Sequence, residues 1–197
     1  MTGDHDHSGS AIAARVKRVE AAVIAAGLTT EAELDRVLEV LATKASPRNG
    51  ARIVARAWVD PSFAEAVLAD ANAAIEELGL SMEAGPPVRL KAVANSESVH
   101  NVVVCTLCSC YPIGLLGPPP TWYKEPAYRS RVVREPRAVL AEFGTHLSPQ
   151  TEIRVWDSSA ETRYLVIPRR PEGSDGLDED GLAVLVTRNG LIGTTVL

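Results

Sequence analysis

The sequence lacks the features that mark nucleic-acid-binding, repeat and low-complexity proteins. Its 197 residues carry 20 Lys and Arg against 25 Asp and Glu, a formal net charge of −5, and no long basic cluster. An acidic chain without such a cluster is a poor nucleic-acid binder. Apolar residues make up 46% of the chain and charged residues 23%, which excludes wholesale disorder and the fibrous classes. The length fits one domain, or one domain with an arm.

Targeting and membrane signals are also missing. Residues Met1 to Ser10 have neither a basic segment nor an apolar core, so the sequence predicts no secretory signal. The 23 residues from Asn101 to Tyr123 carry no charge and are long enough to span a bilayer. Prolines and glycines in this stretch would break a membrane helix: Pro112, Gly114, Gly117, Pro118, Pro119 and Pro120. The stretch is therefore predicted to be a buried or ligand-lined turn region, and no membrane association is expected.

Cysteine is scarce, and its placement is informative. The three cysteines, Cys105, Cys108 and Cys110, lie within six residues of one another. A secreted disulfide framework would instead spread an even number of cysteines along the chain. The cluster therefore predicts a reducing, cytoplasmic location and a chemical role for the thiols.

Apolar periodicity predicts an N-terminal helical part followed by a mixed α/β part. Ser10 can cap a helix that runs to about residue 26, and Thr30 can open a second amphipathic helix. Each leaves an apolar stripe that either folds onto the main core or clasps a partner subunit. Residues 1–50 are assigned to this helical arm and residues 51–197 to a catalytic domain.

The catalytic domain is predicted to alternate short helices with strands. Pro47, Asn49 and Gly50 predict a break, and Asp60-Pro61 predicts the start of a helix that ends near Gly79. Strands are expected near 88–92, 102–104, 153–155, 164–166 and 191–197, and helices at 121–131, 136–144 and 178–187.

The spacing of the thiols predicts that they can converge on one point. A thiolate–metal bond of ~2.3 Å places sulfurs within roughly 4 Å of one another, which a curled backbone permits. Structural zinc would need a second ligand pair, whereas His100 and His146 are isolated. A Cys105-x-x-Cys108 redox pair would leave Cys110 unexplained. A transition metal bound by all three sulfurs uses every thiol and keeps a position open for substrate.

A longer pattern surrounds the cysteines. Residues 104–112 read VCTLCSCYP and resemble the metal-binding claw of the nitrile hydratase α subunit. The resemblance continues through 116–124, 128–137, 154–163 and 171–176, and includes Trp58-x-Asp60-Pro61. It implies an α+β fold, in which an N-terminal helical arm precedes a layered α-β-β-α domain with mixed sheets.

The resemblance implies one low-spin cobalt(III) ion per chain, held by the sulfurs of Cys105, Cys108 and Cys110 and the backbone nitrogens of Ser109 and Cys110. Cys108 would be oxidised to sulfinic acid and Cys110 to sulfenic acid. Thr106 resembles the cobalt type, whereas the iron type usually has serine at that position. The implied reaction is hydration of a nitrile to an amide, with the Cys110 sulfenate or a metal-activated water as nucleophile. Ser109 and Cys110 are therefore the implied catalytic residues.

The resemblance also implies supporting residues and partners. Asp157, Glu161 and Arg163 resemble residues that fix the claw from behind, although a solvated turn with an exposed ion pair is the alternative. The implied protein partner is a β subunit of one or two chains, in a heterodimer or an α2β2-like assembly. Its arginines would donate hydrogen bonds to the oxidised sulfurs. A separate activator protein is implied for cobalt loading.

Two departures from the family pattern bear on the substrate. Ile113 and Gly114 stand where relatives usually carry Trp-Pro, and with Trp122 they are predicted to line an enlarged pocket. This predicts a bulky or heteroaromatic nitrile, such as the nucleoside nitrile toyocamycin. A glutamine that the family often carries upstream falls on Pro86, so its role is not transferred, and Gln150 is the only glutamine in the chain.

Two other functions remain open at this point. A thiocyanate-hydrolase-type cobalt subunit has a similar claw, although Ile113 and Gly114 disfavour so small an anion. A non-catalytic zinc or redox module would keep the three thiols unmodified. Measuring which substrate is turned over distinguishes a thiocyanate hydrolase from a nitrile hydratase. The oxidation state of the cysteines distinguishes the zinc or redox module from both enzymes.

Overall fold

The computed structural model describes residues 7–82, 88–108 and 110–197. It divides the chain into two compact units, one ending at Thr43 and the other beginning at Lys44. The assignment of residues 1–50 to a partner-clasping arm stays a prediction.

The first unit is helical, with α1 at His7–Ala25 and α2 at Glu31–Thr43. The amide of Glu33 donates to Thr30 Oγ1 at 3.2 Å, and the amide of Thr30 donates to Glu33 Oε2 at 2.9 Å. This reciprocal cap confirms the predicted start of the second helix. The first helix begins three residues before the predicted cap at Ser10.

The second unit contains the remaining helices and all four strands of the described residues. These are α3 (Pro47–Val59), α4 (Pro61–Ala69), α5 (Ala71–Glu76), β1 (Arg89–Ala94), β2 (Val99–Val104), α6 (Ile113–Leu116), α7 (Thr121–Lys124), α8 (Pro126–Arg131), α9 (Pro136–Glu142), β3 (Glu152–Asp157), β4 (Thr162–Ile167), α10 (Glu179–Leu185) and α11 (Arg188–Ile192).

The break predicted at Pro47 to Gly50 is wrong, because these residues open α3. Ser46 accepts a hydrogen bond from the amide of Arg48 at 3.2 Å, and Pro47 occupies the first turn, where its missing N–H costs nothing. Gly50 lies inside the helix at a close contact: a Cβ there would lie 2.7 Å from Leu191 Cδ1. The glycine thus serves packing rather than a turn.

The strands form two separate parallel pairs. β1 pairs with β4, beginning at Arg89 opposite Thr162, and β2 pairs with β3, beginning at Val99 opposite Glu152. β3 and β4 flank the predicted turn at 157–159, yet each pairs with a different strand. α4 and α5 pack against β1, α9 packs against β3, and α11 packs against β4 and β2. The predicted α+β class is confirmed.

The strand predicted at 191–197 is wrong, because the chain forms α11 and then turns at Gly193. This glycine has a φ of +88°, a left-handed conformation that favours glycine. A Cβ at this position would lie 1.9 Å from the carbonyl oxygen of Asn101. The close approach fixes the C-terminal segment on β2.

Strand β2 is the element that carries the chain into the cysteine cluster. Val102, Val103 and Val104 are at most 2% exposed, as expected for a strand covered on both faces.

Within the described ranges, no helix has both the length and the hydropathy needed to cross a membrane.

Candidate metal centre

The cluster begins where two parallel strands end. Val104 is the last residue of β2 and lies opposite Asp157, the last residue of β3. The amide of Ser158 donates to the Val104 carbonyl at 2.7 Å, which extends the pairing by one step. The pairing therefore places Cys105 and Asp157 at the same edge of the sheet.

The three cysteine sulfurs converge, as their spacing predicted. The Sγ atoms of Cys105 and Cys108 are 3.3 Å apart, and those of Cys108 and Cys110 are 3.0 Å apart. All three lie within 4.8 Å of one another. Two sulfurs each ~2.3 Å from one ion would be about 3.3 Å apart at right angles and about 3.8 Å apart at a tetrahedral angle. These two separations are closer to the right-angle value than to the tetrahedral one.

Burial differs among the three thiols. Cys105 is buried, Cys110 is half-buried and Cys108 is exposed. The amide of Cys108 donates to Cys105 Sγ at 3.3 Å, which closes the turn between these two cysteines. Burial raises the pKa of the Cys110 thiol to about 12, the adjacent Cys108 sulfur adds to this rise, and the charge of Arg163 opposes it. A metal ion would therefore displace a proton from Cys110 on binding.

Asp157 contacts the claw directly. Its Oδ1 accepts a hydrogen bond from the amide of Thr106 at 2.9 Å, and its Oδ2 accepts one from the Thr106 hydroxyl at 2.5 Å. The carboxylate thus holds both donors of the residue that follows the first cysteine.

Glu161 and Arg163 contact the turn behind the claw. Glu161 Oε2 accepts from the Ser159 hydroxyl at 3.0 Å. The Arg163 guanidinium donates to the carbonyls of Ser159 and Ala160. In the part of the chain that is described, neither residue forms an ion pair. Both therefore brace the loop that carries Asp157.

Two residues near the claw carry contacts that sequence reasoning did not assign. Arg129 donates from Nε to the Cys105 carbonyl at 3.0 Å and from Nη2 to the Thr106 carbonyl at 2.6 Å. Tyr123 donates from its hydroxyl to the Cys110 carbonyl at 3.1 Å. Burial raises the pKa of Tyr123, so its hydroxyl remains a donor at neutral pH. The sequence offered only weak signals for these contacts: Tyr123 ends the uncharged stretch that contains the cysteines, and Arg129 follows Tyr128 in a segment that resembles the family.

The predicted pocket residues occupy different environments. Ile113 is 36% exposed and begins α6 just after the claw. The Gly114 carbonyl accepts from Asn49 Nδ2 at 2.9 Å. Trp122 is half-buried, and its ring packs edge-on against Tyr128 and Phe143, with centroids 4.8 and 4.7 Å away. Ser109 and residues 83–87, which include Pro86, lie outside the described residues.

The histidines do not join the thiols. His100 is buried, and its Nε2 bonds the Gly193 carbonyl at 2.7 Å. The only group of potential metal ligands found among the described residues consists of the three cysteines. The described residues thus offer no fourth protein ligand, which a structural zinc site requires.

Comparison with known proteins agrees with this geometry. The family described as nitrile hydratase, alpha chain, matches residues 10–195. The low-molecular-weight cobalt-containing nitrile hydratase subunit alpha of Rhodococcus rhodochrous is 50% identical over 196 residues, covering 100% of this chain and 94% of that protein. The thiocyanate hydrolase subunit gamma of Thiobacillus thioparus is 45% identical over 174 residues, covering 84% and 72%. A solved double mutant of the Fe-type nitrile hydratase from Comamonas testosteroni Ni1 has a TM-score of 0.87 at 39% identity, covering 95% and 91%.

Fold and site together define a class of metalloprotein that presents a three-cysteine claw at the ends of parallel strands. Within that class, the chain belongs to the nitrile hydratase alpha-chain family. The family and the α+β fold implied by the resemblance are confirmed, but the mixed sheets are not, because both strand pairs of the described residues are parallel.

Proposed function

We propose that this chain is the metal-bearing α subunit of a cobalt-dependent nitrile hydratase, which adds water to a nitrile and yields the amide. The observation that carries the proposal is the convergence of three Sγ atoms within 4.8 Å. Three soft thiolate ligands select a transition metal, and the Rhodococcus rhodochrous relative is described as cobalt-containing. When bound, the ion supplies Lewis acidity that polarises the reacting group.

The chain's own residues would hold that ion and orient the reacting sulfur. Cys105, Cys108 and Cys110 supply the sulfurs, and the backbone nitrogens of Ser109 and Cys110 supply two further ligands. Exposure of Cys108 supports its oxidation, since oxidants reach exposed thiolates first. The hydrogen bond from Tyr123 to the Cys110 carbonyl fixes the backbone at the proposed nucleophilic residue.

The proposed substrate is a bulky or heteroaromatic nitrile. Ile113 is 36% exposed three residues after Cys110, so this side chain can border the space in front of the claw. Gly114 adds no side chain, and a Cβ there would meet only the Ser81 carbonyl, at 3.5 Å. The small side chains at these two positions thus support a substrate larger than a simple aliphatic nitrile.

The proposed protein partner is a β subunit. Leu107 is 86% exposed between two metal-binding cysteines, and an apolar side chain at that position gains most from cover by a partner. The α1 stripe of Ile12, Val16 and Val19, exposed by 62%, 57% and 56%, supports a separate clasping role for the arm. We also propose a cytoplasmic location, consistent with three clustered cysteines of which none forms a disulfide, and an activator protein that loads the cobalt.

Turnover tests this proposal. The chain is co-expressed with its β subunit in cobalt-containing medium, and the complex is given acrylonitrile, 3-cyanopyridine and thiocyanate. We expect amide from both nitriles, with the higher kcat/KM for 3-cyanopyridine. A cobalt-loaded complex that consumes thiocyanate but neither nitrile would contradict the proposal and favour the thiocyanate hydrolase activity of the Thiobacillus relative.

A further inference from the structure

Helix α8 presents two consecutive side chains to the backbone that enters the claw. The Tyr128 hydroxyl donates to the Val103 carbonyl at 2.7 Å in a buried contact. Arg129 donates to the carbonyls of Cys105 and Thr106 at 3.0 and 2.6 Å. The helix therefore binds three carbonyls of the last strand residues and the first claw residues.

One peptide group is held at both ends. The peptide between Cys105 and Thr106 gives its carbonyl oxygen to Arg129 and its N–H to Asp157. Both bonds involve a charged group, and such bonds are about twice as strong as neutral ones. Rotation of this peptide would break both, so the torsions on either side of it, ψ of Cys105 and φ of Thr106, are fixed before any metal binds.

The Arg129 guanidinium bonds the carbonyls of Cys105 and Thr106 and takes part in no ion pair with a described residue. The residue is partly buried. Arg131, two residues further on, instead pairs with Glu135 and Glu142. The Arg134 guanidinium bonds only the Ser130 carbonyl of its own segment. Of the three, Arg129 alone reaches the claw.

We propose that Arg129 is a positioning residue that fixes the Cys105–Thr106 peptide and thereby sets how tightly the claw retains cobalt. The inference depends on the proposed cobalt-binding function. Arg129 acts through the claw backbone and contacts no substrate. Residues that orient metal ligands from behind typically contribute about 10- to 100-fold to metal affinity.

The test uses the co-expressed, cobalt-loaded complex and three variants. Arg129→Gln removes the charge and the paired donors, Arg129→Lys keeps the charge but not the planar fork, and Arg134→Gln is a control with the same change of charge on an exposed neighbour. The readouts are the rate of cobalt loss to a chelator, the sulfur-to-cobalt charge-transfer absorption, and the thermal midpoint of the metal-free protein.

Arg129→Gln should lose cobalt about tenfold faster than wild type or more and shift the charge-transfer band, with Arg129→Lys intermediate and Arg134→Gln within about twofold of wild type. Equal retention in wild type and Arg129→Gln would overturn the proposal, as would parallel losses of cobalt and of metal-free thermal stability in both Arg129 variants. A wild-type complex that holds no cobalt would instead refute the proposed function on which this inference rests.

Discussion

The two halves of the cysteine loop are built differently. The first half, Cys105–Thr106, is fixed: Cys105 is 1% exposed, and charged side chains on two elements bind the peptide that follows it. The second half, from Leu107 to Gly114, is more open near its two ends, where Leu107 is 86% and Ile113 is 36% exposed, whereas Tyr111 between them is buried. We infer that the fixed half sets the position of the first sulfur ligand, while the open half brings the sulfurs of Cys108 and Cys110 to the side that a substrate and a partner chain reach.

The largest expected effect comes from the fixed half. Cys105→Ser removes a buried sulfur ligand, and we expect cobalt content to fall from about one ion per chain to background, because hydroxyl is a poor ligand for a soft site. Leu107→Ala is the matched change in the open half and should leave cobalt content unchanged while weakening association with the β subunit. Cobalt analysis and size-exclusion chromatography measure the two outcomes. Equal loss of cobalt in Cys105→Ser and Leu107→Ala would contradict the proposed difference between the two halves of the cysteine loop.

An intermediate effect is expected from the open half. The double substitution Ile113→Trp and Gly114→Pro restores the residues usual in the family. The ratio of kcat/KM for 3-cyanopyridine to that for acrylonitrile should fall about tenfold, because a pocket discriminates by size over roughly this range.

The Gly114 amide donates no hydrogen bond to a described residue, so proline costs no such contact there. Cobalt content serves as the control and should match wild type. An unchanged ratio in a fully loaded complex would show that these two residues do not set substrate size.

The smallest effect concerns β2, which supports the fixed half. Burial lowers the pKa of His100, so the folded chain keeps a neutral imidazole where the unfolded chain, with a pKa near 6.5, takes up a proton. The contribution of His100 to stability is full above about pH 6.5 and is lost as the pH falls below it towards the folded-state pKa.

Chemical denaturation between pH 5 and 8 measures this dependence. The free energy of unfolding of His100→Gln should fall less steeply below about pH 6.5 than that of wild type. His146→Gln, at an exposed position, is the control and should follow wild type. If the free energy of unfolding fell equally steeply with pH in His100→Gln and wild type, His100 would not be the source of this pH dependence.

Helix caps and apolar patterns in the sequence predicted many of the helices and strands, but they did not predict which strands pair. The helix start after Thr30 and the valine strand before Cys105 follow from capping and apolar pattern. The parallel pairing of β3 with β2 does not, since strand partners depend on the whole topology. Gly50 suggested a break because its tight packing against Leu191 is invisible in the sequence.

The site divides in the same way. The spacing of the cysteines predicted their convergence, and the resemblance to nitrile hydratases predicted that Asp157 would support them. Arg129 was not assigned, because its carbonyl partners lie more than twenty residues away and carry no sequence signature of their own. Contacts from side chains to distant backbone atoms require the structure.

The most direct test of the central claim is a mass spectrum of the tryptic peptide from Ala92 to Lys124, prepared from the cobalt-loaded complex. This peptide contains all three cysteines. We expect mass shifts of roughly 32 Da on Cys108 and roughly 16 Da on Cys110, with Cys105 unmodified. Three cysteines that all alkylate as thiols in protein that holds its cobalt would contradict this expectation.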